Sequence, residues 1–282
     1  RGQLPESVVL PLLFLLLVGL WLLLPGGTLN TTTAVALHVA AAAGTLAAAW
    51  ALLRRHLPGE VRRAEPRYRT REWLASAIPL AFVAGLYVIN SRADTVMLAG
   101  FRGAEPVGVY NVASRGAGFV AFLQMAVQRA LAPTISRLHE RSEHARLQRV
   151  VTAAVRIVAI LSVPVALVFV LAGEPILSWV YGDEFARGAP ALAILSVAYL
   201  LAVATGPVGY LLMMTGHERA AARGVGIGAA LNVTLNALLI PPWGVVGAAV
   251  ATGTSMVAFN LVLVWQVRRR LGILATVFGG DS

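Results

Sequence analysis

The chain has 282 residues, 58% hydrophobic and 13% charged, where an average soluble domain is about a quarter charged. With a mean hydropathy of +0.75, this excludes a soluble enzyme, a disordered linker and a secreted disulfide scaffold, and predicts an all-α polytopic membrane protein. The 23 basic residues, all arginine, face 13 acidic ones for a net charge of +10, and no cysteine is present, which removes thiolate metal sites and Cys nucleophiles.

A membrane-crossing helix needs about 20 mostly apolar residues. The first such run, 7–25, is too long and uniform for a signal-peptide core and lacks a cleavage pattern, so it reads as a span. The second covers 33–53. A loop at 54–72, RRHLPGEVRRAEPRYRTRE, follows with seven arginines. Spans three and four cover 73–99 and 107–136, separated by FRGAEP. The loop 137–149 then brings four arginines, and span five covers 150–172. The short stretch 173–188 places Trp179 among Ile176, Leu177, Val180 and Tyr181, an amphipathic turn suited to the membrane interface. Span six covers 189–214. GHERAAAR adds two arginines before spans seven (224–241) and eight (245–267), which PPWG separates. The chain then ends beyond Arg268-Arg269-Arg270.

The loops alternate between arginine-rich and arginine-poor. Counting Arg1, 17 arginines fall on one side, two (Arg102 and Arg187) on the other, and four within spans. Positive residues stay in the cytoplasm, so both ends of the chain are expected there. Trp21, Trp50, Trp73, Trp243 and Trp265 all fall near span ends, as an interfacial aromatic belt requires. The +10 charge thus needs no nucleic-acid partner. Since the chain opens on Arg1 rather than Met, it is expected to be a piece of a longer protein.

Charged residues inside a span cost about 2.5–3.5 kcal/mol each near the centre. Arg92, Asp94, Arg115, Arg129 and Arg156 are the candidates. Arg156 is six residues from the basic loop and Arg129 also approaches an end, so snorkelling is open for both. On the fourth span Asn111, Arg115, Gly118, Phe122 and Arg129 share a sector of about 100°, a face that lipid would not tolerate. That face is expected to line the bundle interior or a wet cavity, and arginine forks suit phosphate oxygens. Asp94 has two open readings: it neutralises a neighbouring arginine, or it titrates or binds a coupling ion. Asn232 and Asn236 share one face of the seventh span, either bonding across helices or touching sugar hydroxyls. No metal spacing, nucleophile elbow or phosphate loop is present, so no cofactor, metal or enzymatic activity is expected.

Several stretches carry a family resemblance. Asn90 to Ala113 (NSRADTVMLAGFRGAEPVGVYNVA) holds Asp94, Met97, Leu98, Gly100, Val107, Gly108, Tyr110 and Ala113 in the pattern of bacterial polysaccharide flippases. Pro133-Thr134-Ile135-Ser136-Arg137 is similar to the end of the family's next helix, and Val180 to Leu195 (VYGDEFARGAPALAIL) to a following loop and helix. Thr215 to Thr252 is similar to a fourth block through Gly216, Arg219, Asn232, Asn236, Leu239, Ile240, Pro241, Gly244, Gly247, Ala248 and Ala249. Together these resemble the O-antigen and teichoic-acid type flippases of the multidrug/oligosaccharidyl-lipid/polysaccharide exporter superfamily.

The resemblance implies two six-helix bundles rocking around a central cavity in the bacterial inner membrane. It implies eight transmembrane helices here: 1–58 as the last two of an N-terminal bundle, 59–72 as a basic cytoplasmic linker, 73–270 as a complete C-terminal six-helix bundle and 271–282 as a cytoplasmic tail. The missing N-terminal helices would complete the cavity. The cargo implied is a polyprenyl-diphosphate-linked oligosaccharide for surface polysaccharide such as lipopolysaccharide, moved by alternating access with a proton or sodium as the candidate coupling ion. On that picture Arg115 is the first candidate for diphosphate contact, with Arg92, Arg129 and Asn111 beside it. Two alternatives stand: an ion-coupled multidrug or lipid-precursor exporter of the same superfamily, disfavoured by one intramembrane acid against four arginines, and a membrane glycosyltransferase or polymerase, disfavoured by the short non-cytoplasmic loops.

Overall fold

The computed structural model describes residues 9–24, 29–56 and 70–280. Of the linker expected at 59–72, residues 59–69 lie outside the described residues, as do 1–8 and 281–282. Among the described residues there are helices and no strand. The chain divides into two compact units, Arg1–Thr70 and Arg71–Ser282.

The first unit holds α1 (Leu10–Leu23) and α2 (Thr31–His56). The sequence Asn30-Thr31-Thr32-Thr33 starts α2 by reciprocal capping: Asn30 Oδ1 accepts the Thr33 N–H at 2.8 Å and Thr33 Oγ1 accepts the Asn30 N–H at 2.9 Å. Gly44 lets the pair approach, since a Cβ there would meet Leu13 Cδ2 at 2.7 Å. His38, which has no evident partner in its own segment of the sequence, packs its ring edgewise on Phe14.

The second unit contains α3 (Thr70–Arg102, all but its first residue), α4 (Ala104–Glu140), α5 (His144–Tyr181), a short 3₁₀ helix (Asp183–Gly188), α6 (Ala189–Ala204), α7 (Val208–Met214) and α8 (Glu218–Leu271). Helix α5 bends at Ala172 (φ −122°, ψ 21°), three residues before Pro175. The apolar run predicted as one span over 189–214 is broken between α6 and α7, where Gly206 takes φ +77° ahead of Pro207.

Helix α8 is a hairpin. At Gly244 the backbone takes φ +55°, ψ −124°, and 245–271 folds back along 218–243. The close approach is carried by glycine. A Cβ on Gly247 would run into the Leu239 carbonyl oxygen, one on Gly228 would meet Phe259 at 2.8 Å, and one on Gly224 would strike Leu263. At the open end Gln266 Nε2 donates to the Ala220 carbonyl at 3.3 Å. Arg102 fastens the turn by donating to the Pro241 carbonyl.

Over their described residues the eight apolar segments are helical, apart from Leu24 at the end of the first and the break in the sixth. Among the described residues, four helices are long and apolar enough to cross a membrane: 31–55, 144–181, 183–204 and 218–271. The surface is inverted relative to a soluble protein: Leu171, Ile160 and Leu238 are 74%, 69% and 64% exposed, while Asp94, Gln148, Asn232, Asn236 and Gln266 are buried. That pattern suits hydrocarbon as solvent, where polar groups must find partners inside.

Residues 272–280 turn back over the bundle, burying Ile273 and Ala275. Gln148 clasps Leu274 at both N–H and C=O, each at 2.7 Å, and the Val277 N–H donates to the Ala204 carbonyl at 3.0 Å. Only glycine fits at 206, because a Cβ there would collide with the Ala275 carbonyl oxygen.

Candidate functional site

Two polar features sit on α3, α4 and α8. The first is the face of α4 predicted to be polar. Its opposite face is buried through Val109, Tyr110, Ala113, Ala117 and Val120. Arg115, Phe119, Phe122, Met125 and Arg129 are exposed, with Asn111 and Gly118 half-buried. The arginine face therefore points away from the core of its own unit. Arg92 on α3 is exposed as well. Among the described residues Arg92, Arg115 and Arg129 have no hydrogen-bond or ion-pair partner.

Three other arginines in or beside the spans are engaged. Arg102 holds the α8 turn, and Arg187 pairs with Glu105. Arg156 donates from Nε to the Val277 carbonyl at 3.1 Å and from Nη2 to the Gly279 carbonyl at 3.0 Å. This interaction with the C-terminal segment answers why Arg156 sits inside an apolar helix: it holds backbone carbonyls rather than a cavity.

The second feature is buried. Asp94 is 5% exposed, and Tyr110 donates its hydroxyl to Asp94 Oδ2. Thr252 Oγ1 donates to the same oxygen at 3.2 Å, and the Thr95 N–H donates to Oδ1 at 2.7 Å. Asn232 Nδ2 extends the chain to Thr252 Oγ1 at 3.3 Å. Asn236 Nδ2 donates to the Asn232 carbonyl and Oδ1 at 2.9 and 3.1 Å. Asn236 Oδ1 is buried without a partner.

Thus three helical segments meet at one carboxylate. Asp94 touches hydroxyls and an amide N–H, with no arginine among the described residues in reach. Asn232 and Asn236, buried to 2% and 0% exposure, lie in the packed hairpin. Tyr110 and Thr252 were not singled out as site residues in the sequence. Tyr110 stands in the block Asn90 to Ala113, but a hydroxyl inside an apolar helix leaves no spacing signal.

A separate cavity of about 240 Å³ lies between α4, α6, α7 and α8, with Gln124, Gln128, Tyr199, Tyr210 and Asn260 among its lining. Gln124 Nε2 reaches the Gly206 carbonyl at 3.4 Å, so the helix break supplies part of its polarity.

Against known proteins, a family model described as Lipid II flippase MurJ matches residues 11–278. Two relatives come from Haloferax volcanii: the Probable low-salt glycan biosynthesis flippase Agl15, 29% identical over 60% of this chain and 36% of its own length, and the Probable flippase AglR, 31% identical over 65% and 39%. A Bacillus subtilis membrane protein, YabM, is 23% identical over 72% of this chain and 39% of its own length. The chain thus spans under two-fifths of these relatives. Among solved structures, Lipid II flippase MurJ in its inward closed conformation superposes with a TM-score of 0.66 at 12% identity, covering 92% of this chain and 54% of that one. At that identity the superposition speaks to the fold.

Proposed function

Since the chain belongs to the lipid II flippase MurJ family, we propose that it is the C-terminal part of a flippase for a polyprenyl-diphosphate-linked glycan. The cargo moves from the inner to the outer leaflet of the bacterial cytoplasmic membrane by alternating access, with eight transmembrane helices contributed by this chain and further N-terminal helices completing the cavity. The observation that carries this reading is the α4 face. Arg115 and Arg129, with Asn111, lie on the side of α4 that its own unit leaves open, unpaired among the described residues. An unpaired guanidinium within the membrane is costly, and a diphosphate offers the oxygens that offset the cost.

Arg115 is the first contact for the diphosphate, with Arg92 and Arg129 flanking it, while the lipid tail stays in the bilayer. The Asp94 cluster serves coupling. A buried carboxylate beside the Tyr110 and Thr252 hydroxyls offers oxygen ligands for a hard cation, or a place for a proton. Asn232 and Asn236 act in packing, because both are sealed in the hairpin.

Arg115→Ala in the full-length protein tests the reading. The variant is expected to insert normally and to lower delivery of the glycan to the cell surface. Normal delivery at normal expression would overturn the role given to Arg115.

A further inference from the structure

The bend of α5 at Ala172 and the 3₁₀ helix Asp183–Gly188 leave a groove beside the start of α6, at the end of α5 opposite the arginine-rich loop 137–149. Its volume is about 590 Å³, and Val170, Leu171, Glu174, Arg187, Pro190 and Ala193 are among the residues lining it. That is the size of a small-molecule site.

The lining of the groove mixes aliphatic and charged side chains: Val170, Leu171 and Ala193 supply apolar surface, and Glu174 and Arg187 supply one charge of each sign. Its depth in the bilayer is marked by the short helix 173–181 itself, which projects Trp179 at 89% and Tyr181 at 51% exposure. Aromatic side chains with one polar edge settle at the headgroup level. Arg187 gives one nitrogen, Nη2, to Glu105, which leaves other N–H donors of the fork unused. Glu174 has no basic partner among the described residues. A ligand that matches these groups carries an acyl chain, a phosphate and an N–H-bearing cation.

We propose that this groove binds one ethanolamine phospholipid, its ammonium on Glu174 and its phosphate on the free donors of Arg187. An anionic glycerol headgroup brings no cation for Glu174 and is repelled by it. A choline headgroup brings a cation with no N–H to donate. The site is separate from the cargo face of α4, and its test does not depend on transport.

The test uses the full-length protein in nanodiscs of equal phosphatidylethanolamine and phosphatidylglycerol, released into detergent and read by native mass spectrometry for retained lipid. The expected result is about tenfold enrichment of the ethanolamine lipid over bulk, the ratio that one charge-assisted hydrogen bond supplies. Glu174→Gln is expected to bring the ratio back toward bulk, and Arg187→Gln to lower total retention. Glu105→Gln breaks the same ion pair without lining the groove and is expected to keep the enrichment. Retained lipid of bulk composition, or enrichment that survives Glu174→Gln, would overturn the site and mark the lipid as annular.

Discussion

Three of the four arginines that fall inside predicted spans remain unpaired among the described residues, and one does not. The difference separates structural from functional use of the same residue. Arg156 bonds the Val277 and Gly279 carbonyls, so Arg156→Ala is expected to speed amide hydrogen exchange in 272–280 and to leave cargo binding unchanged. Unchanged exchange there would show that the arginine does not hold the segment. Asp94→Asn keeps a side chain able to bond Tyr110 and Thr252 but removes the charge. Transport measured against sodium concentration and pH is expected to lose its ion dependence, with the melting temperature little altered; an unchanged dependence would place coupling elsewhere. The arginines and asparagines were legible in sequence because a polar residue in an apolar run stands out and its helical angle follows from spacing. The partners of Asp94 were not. Tyr110 and Thr252 meet across 142 residues of chain, and only the packing of α4 against α8 brings them together.

At the level of elements, the apolar segments were legible because hydrocarbon thickness fixes their length. Their breaks were less so. Averaging apolar character over 189–214 hides the interruption at Thr205-Gly206-Pro207, even though Gly-Pro is a turn signal. The interruption matters physically, since the Gly206 carbonyl bonds Gln124 and its missing Cβ admits Ala275. The glycines in and just before the α8 hairpin divide by what surrounds them. Gly216 has φ +77° with open space around it, so Gly216→Ala carries only the left-handed penalty of about 1–2 kcal/mol. Gly247 faces the Leu239 backbone, which cannot rotate away, so Gly247→Ala is expected to cost more. Thermal unfolding of the purified full-length protein compares the two, and a Gly247 variant as stable as the Gly216 variant would contradict the packing described.

For the molecule as a whole, the arginine asymmetry of the sequence predicts one orientation. In the second unit, exposed leucine, isoleucine and tryptophan cover an interior that holds most of its polar groups by hydrogen bonds. Trp50 and Trp265, near the arginine-rich ends, each sit beneath an arginine four residues on, Arg54 at 4.9 Å and Arg269 at 5.4 Å, which suits rings held at the headgroup level. Because the chain lacks cysteine, single cysteines introduced into it report sidedness directly. Cysteines replacing Ser142 and His217 are expected to react with a membrane-impermeant maleimide only from the cytoplasmic side, and those replacing Gly103 and Asp183 only from the other. The family resemblance in the sequence reached flippases through small-residue motifs. The finer choice of cargo was not legible there, because the proposed contact, a diphosphate, is the part that such lipids share.

On the proposed reading the open face of α4 binds the diphosphate of the cargo, and equilibrium binding reports on that contact without the other steps of transport. The measurement is the affinity of the full-length protein, in nanodiscs, for a polyprenyl-diphosphate-linked glycan, with the Arg115→Ala and Arg156→Ala variants side by side. A charge-assisted hydrogen bond of about 1.5–3 kcal/mol corresponds to roughly 10- to 100-fold in affinity. Arg115→Ala is therefore expected to weaken binding by about that factor while Arg156→Ala binds as the wild type does; equal affinity for all three proteins, or a larger loss at Arg156, would contradict it.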